Sequence, residues 1–137
     1  MIKKLLNNKK LFFTFSILWT IFIFIACSIP GKDLPKIHLF TNFDKVVHFI
    51  FFFVFTALWF ITLLNGKVSY LIIFLKLVFV SLIFGFGIEF WQKYFIVGRS
   101  FDVLDGLTDF LGSLFFFIFA KPIFMFMGSN NLTEKIF

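Results

Sequence analysis

The stretch "GRSFDVLDGLTDFLG" (Gly98–Gly112) sets Arg99, Asp102, Asp105 and Asp109 against a run that is otherwise largely phenylalanine and leucine. An ionised carboxylate in hydrocarbon is costly, so an acid in such a place needs a partner or a use. Asp102, Asp105 and Asp109 are spaced three and four apart, which makes them one acidic stripe on a helix, continued by Gly112 and Ser113. Earlier in the chain, Asp44 and His48 are four apart, so a carboxylate and an imidazole share a helix face. Glu89 and Gln92 are three apart, about one helical turn. Three chemistries fit these residue types. Glu89 or Asp109 could act as a general acid or base, with His48 oriented by Asp44. Lys45, Arg99 and His48 could hold a phosphate or carboxylate headgroup while the acids take amines or sugar hydroxyls. Glu89, Asp105 and Asp109 could hold a hard divalent cation, Mg²⁺ or Ca²⁺, as the only cofactor the pattern suggests. No serine or cysteine stands in a recognisable nucleophile context, so the enzyme reading is the weaker one.

Each residue also has a plainer role open to it. Asp102 and Asp44 can cap helices, where an acid near the N-terminus is favoured by about 0.5–1 kcal/mol. Lys45 and Lys93 can anchor an interface, and Arg99 can pair with Asp102 or Asp105 as a clamp. Glu89 and Asp109 resist this treatment. Both lie a turn or more inside apolar sequence, where serine or asparagine would serve structure at less cost.

The elements that must position these groups follow from composition. Of 137 residues 61% are hydrophobic, 28 of them Phe, and mean hydropathy is +1.02. A chain this short cannot hide that surplus in its own core, so it must meet lipid. Four apolar runs come near the roughly 20 residues a spanning helix needs: about 11–29, 43–64, 68–92 and 104–127. The sequence predicts one domain, residues 1–137, an all-α integral membrane four-helix bundle. Alternate helix ends share a side, so Asp44, Lys45, His48, Glu89, Gln92, Arg99, Asp105 and Asp109 converge on one polar pocket whichever way the bundle points. More of the Lys and Arg fall on the side of the N-terminus, which makes both termini cytoplasmic and the pocket outward-facing. The basic pI of about 9.6 then reflects span-end lysines facing lipid headgroups, and nucleic acid is excluded as a partner. Cys27, the single cysteine, rules out an internal disulfide and a Cys-based zinc site. It ends "FIAC" after a basic start and an apolar run, the outline of a lipidation signal. Phe24 fits that signal poorly, so an ordinary membrane cysteine is the preferred reading.

Four motifs in order carry a resemblance: "SIPG" (Ser28–Gly31), "DKVVHF" (Asp44–Phe49), "EFWQ" (Glu89–Gln92) and "GRSFDVLDGLTDFLG". Together they resemble the VanZ-like family over nearly the whole chain. The resemblance implies that Ser28, Pro30, Asp44, Lys45, His48, Glu89, Gln92, Arg99, Asp105 and Gly112 occupy that family's characteristic positions. Asp109 stands where the family usually has Asn, and Phe116 where it has a second glycine. The resemblance further implies a small bacterial multi-pass protein of the cytoplasmic (inner) membrane. The founding member is associated with low-level resistance to the glycopeptide teicoplanin, a phenotype not carried to this chain. The expected function is the binding or handling of a cell-envelope lipid, glycan or glycopeptide-type molecule. An intramembrane acid/base or metal-dependent enzyme, or a structural assembly protein, are the alternatives. Expected partners are membrane lipid and an envelope glycan or lipid headgroup, with an oligomer allowed.

Overall fold

A computed structural model describes residues 8–30, 42–64 and 68–126. Four helices account for nearly all of them: α1 (Lys9–Cys27), α2 (Phe43–Leu63), α3 (Tyr70–Phe95) and α4 (Val103–Phe126). All four are long and apolar enough to cross a membrane, and there is no strand among the described residues. The protein is thus a multi-pass, all-α membrane bundle. Gly31, His38, Met127 and the basic residues Lys3, Lys4, Lys32, Lys36, Lys67 and Lys135 lie outside the described residues.

Helix ends sit where local chemistry puts them. α1 starts two residues before the expected position because the Asn8 side chain accepts from the Leu11 N–H (3.2 Å). It ends early ahead of Pro30, whose ring disfavours helical backbone at Ile29 and which has no N–H to continue the ladder. Ser69 caps α3 by accepting from the Ile72 N–H, and α3 runs on through "QKYF" to Phe95, so Gln92 lies inside the helix and does not close it.

Packing is led by α2 against α4, then α4 against α3 and α1 against α2; α1 and α3 touch far less. Two apolar clusters hold the bundle. Phe60, Ile73, Leu77, Phe116, Phe117 and Ala120 fill one end, and Ile23, Cys27, Phe52, Phe55 and Ile88 the other. Phe116, where the VanZ-like resemblance would imply glycine, packs its ring against Phe53 and Phe60. Gly112 does the opposite. A Cβ there would fall on the Phe49 carbonyl, so only glycine lets α4 lie this close to the α2 backbone.

Without a hydrophobic drive between helices in lipid, polar links carry more of the specificity. Ser16 bonds Thr62 (3.0 Å), Trp59 donates to the Thr20 hydroxyl (3.1 Å) and Trp19 to the Phe51 carbonyl (3.0 Å), fixing α1 on α2. α1 meets α3 through Gln92, which donates to the Cys27 carbonyl (2.8 Å), and Trp91, which donates to the Ser28 hydroxyl (3.1 Å).

Candidate functional site

The acidic stripe of α4 faces inward. Asp105, Asp109, Gly112 and Ser113 are buried, and Asp102 lies just ahead of the helix with its side chain 39% exposed. Asp102 caps α4, accepting from the Leu104 N–H (2.8 Å). It also reaches Lys45, which opens α2. The Lys45 ammonium donates to Asp102 (2.8 Å) and Asp105 (2.9 Å) and lies 3.6 Å from Asp44. The clamp expected of Arg99 is therefore made by Lys45. Its nearness holds the Asp102 carboxyl below the usual carboxylate range, reinforced by the Leu104 N–H.

His48 lies one turn deeper in α2. Its Nδ1 is 3.0 Å from Asp109 Oδ1, and both side chains are buried. Asp109, not Asp44, is the carboxylate that orients the imidazole. Asp44 sits in the first turn of α2 with its side chain 54% exposed, beside Lys45. A helix spacing of four places the two residues on one face, but the crossing of α2 and α4 supplies a closer partner.

Glu89 comes from α3 and is fully buried. Its Oε2 accepts from the Asp102 N–H (2.9 Å), which ties the end of α3 to the start of α4. Its Oε1 has no hydrogen-bond partner among the described residues, and neither has Oδ2 of fully buried Asp109. Gly85, one turn before Glu89, makes room for this acid. A Cβ at Gly85 would lie 2.8 Å from Asp109 Oδ2 and 2.9 Å from its Cβ. Sequence reasoning passed over Gly85, although its position four before Glu89 put it on the same face.

The structure thus draws Lys45, His48, Glu89, Asp105 and Asp109 into one largely buried cluster at one end of the bundle. Asp44 stands at its rim. Gln92, which was expected in it, is spent on the Cys27 carbonyl. Arg99 sits in the connection between α3 and α4, partly buried, and makes no ion pair among the described residues. One nitrogen of His48, one oxygen of Glu89 and one of Asp105 lie within 4.8 Å of one another, a set able to converge on a metal ion. Asp109, expected as a ligand, stands behind His48 instead. No family model, curated protein or solved structure matches this chain.

A second feature was invisible in the sequence. Between α1, α2 and α3 runs an apolar groove of about 740 Å³, bounded by Phe24, Phe55, Trp59, Ile83, Gly87 and Ile88 and reaching Lys76 at its far end. From Lys76 to Ile88 the α3 wall is about 18 Å long at 1.5 Å per residue. Its near end lies at Phe24 and Ile88, about one helical turn before Cys27 and Gln92.

Proposed function

We propose that this chain is a VanZ-like protein of the bacterial cytoplasmic membrane that binds an anionic acyl amphiphile of the cell envelope. The tail lies in the groove, and the phosphate or carboxylate headgroup meets Arg99 at the outer end. One observation carries this reading: a lipid-length apolar groove runs between α1, α2 and α3 in a bundle whose α3–α4 connection holds a partly buried guanidinium that no described acid pairs with. Lys45 cannot take that part, because Asp102 and Asp105 already hold its ammonium. Guanidinium is the cation suited to bidentate capture of phosphate or carboxylate. The four ordered motifs and the lysine-rich N-terminal side support the family and the outward direction of the polar end.

The test is native mass spectrometry of protein extracted gently from membranes, wild type beside Gly87→Phe and Arg99→Gln. Gly87 has open space where a side chain would go and lines the groove, so phenylalanine fills it. Wild type should carry one discrete phospholipid or acyl-carboxylate mass, lost in Gly87→Phe and reduced in Arg99→Gln. A bare polypeptide in wild type, or the same adduct in all three proteins, would overturn the reading.

A further inference from the structure

We propose that His48, Glu89 and Asp105 form a binding site for a divalent transition-metal ion of the zinc or manganese class, with Asp109 as the residue that orients His48. The inference does not depend on what fills the groove.

Convergence is the first argument. One donor atom from each residue lies within 4.8 Å of the others, and the residues come from α2, α3 and α4. Two donors about 2.1 Å from a shared ion are at most about 4.2 Å apart, so closure needs a shift of about 0.6 Å. Rotamer adjustment in three side chains covers that distance.

The second argument is an oxygen with nothing to do. Glu89 is fully buried; Oε2 is held by the Asp102 N–H, while Oε1 has no partner among the described residues. A buried carboxylate oxygen is expected to be bonded, and one without a protein partner beside other donor groups is free to take a ligand. The position of Asp109 points the same way. Metal-bound imidazoles are typically held at their other nitrogen by a carboxylate, and Asp109 holds His48 Nδ1 at 3.0 Å. That contact leaves the remaining ring nitrogen for a ligand.

Charge gives the third argument. The buried Glu89, Asp105 and Asp109 share one nearby ammonium, Lys45, which Asp102 also holds and Asp44 approaches. A divalent cation offsets the acid charge that Lys45 leaves. The imidazole moves the choice of ion away from the Mg²⁺ or Ca²⁺ that carboxylates alone suggest, because nitrogen donors favour later transition metals. Three protein donors leave at least one coordination position for water or a substrate oxygen.

Full-length protein in detergent, stripped with chelator and dialysed against Mn²⁺, provides the test, read by metal analysis and electron spin-echo spectroscopy. Wild type should retain one Mn²⁺ per chain, displaced by Zn²⁺, with modulation from a directly bound nitrogen. Glu89→Gln should weaken retention at least tenfold, and Asp109→Asn by about 10–100-fold, the usual cost of losing a carboxylate behind a metal-bound histidine. His48→Gln should abolish the nitrogen signal. No retained ion in wild type, an ion without nitrogen coupling, or retention unchanged in both Glu89→Gln and His48→Gln would each overturn the proposal. The nitrogen signal is read on wild type, so the outcome stands even where a variant fails to fold.

Discussion

Replacing Gly112 by alanine would set a methyl group against the backbone of α2. The new carbon would fall on the Phe49 carbonyl oxygen and lie 3.1 Å from its carbon and 3.2 Å from Cα. Non-bonded carbons rest at about 3.5–4.0 Å, so α2 and α4 must part by at least ~0.5 Å, and further to clear the oxygen. The obstacle is main chain, and no rotamer change relieves it. Overpacking of this kind costs about 1–3 kcal/mol. The same displacement acts on the His48–Asp109 bond, one residue from Phe49 and three from Gly112, and stretches it from 3.0 Å toward loss. A buried bond broken with both groups still present adds about 1–3 kcal/mol. Gly112→Ala should therefore destabilise the bundle by about 2–6 kcal/mol, measured by reversible unfolding in mixed micelles with far-ultraviolet circular dichroism. Gly87→Ala is the internal control. Nothing lies within 4 Å of its Cβ, and alanine is the better helix former by about 0.8–1 kcal/mol, so stability should hold or rise. A Gly112→Ala protein within about 0.5 kcal/mol of wild type, or a Gly87→Ala protein equally damaged, would refute the close-approach argument.

Two further outcomes follow from the polar end. Lys45→Met removes the ammonium shared by Asp102 and Asp105, and Asp105 is buried; about 2–3 kcal/mol should be lost, at the lower edge of the cost of breaking a buried pair because Lys45 is 18% exposed. The same micelle unfolding assay reads it, and a change under about 0.5 kcal/mol would show that the ion pairs are incidental. Asp102 has a depressed carboxyl, chiefly through Lys45, so it binds fewer protons folded than unfolded near its ordinary value. Its contribution is complete above about pH 4 and is lost as pH falls through the lower folded value. Stability measured from pH 6 to pH 3 should fall less steeply below pH 4 in Asp102→Asn than in wild type; identical slopes would contradict the assignment.

The spans were legible because twenty apolar residues in a row have few other uses. The 102–105–109 stripe was legible because helical spacing alone puts those residues on one face, and the bundle turns that face inward. Which groups pair was not. Asp44 and Asp109 compete for His48, and the sequence offers only the neighbour four residues away. The crossing of α2 and α4, set by Gly112, decides for Asp109. Lys45 displaced Arg99 from the acid clamp for the same reason: its position in the first turn of α2 brings it to the start of α4. The groove was hidden by uniformity. In a chain apolar on nearly every helix face, positions that line a cavity, such as Ile83 and Phe55, read like those that face lipid or core.

The attachment of α1 has a mechanical consequence. Among the described residues, its hydrogen bonds to α3 are those of Gln92 and Trp91, both at the end where Cys27 and Ser28 lie. The two helices are therefore legs of a compass joined directly at that end, while toward Lys76 the only brace among these side-chain bonds is α2, to which Ser16, Thr20 and Trp19 hold α1. Occupancy that spreads the legs enlarges the cross-section of the protein in one leaflet and leaves the other unchanged. Work of that kind is done against the lateral pressure of a single monolayer. If a tail lies between the legs as proposed, its retention should depend on how tightly that monolayer is packed, and membrane curvature becomes a variable in its binding.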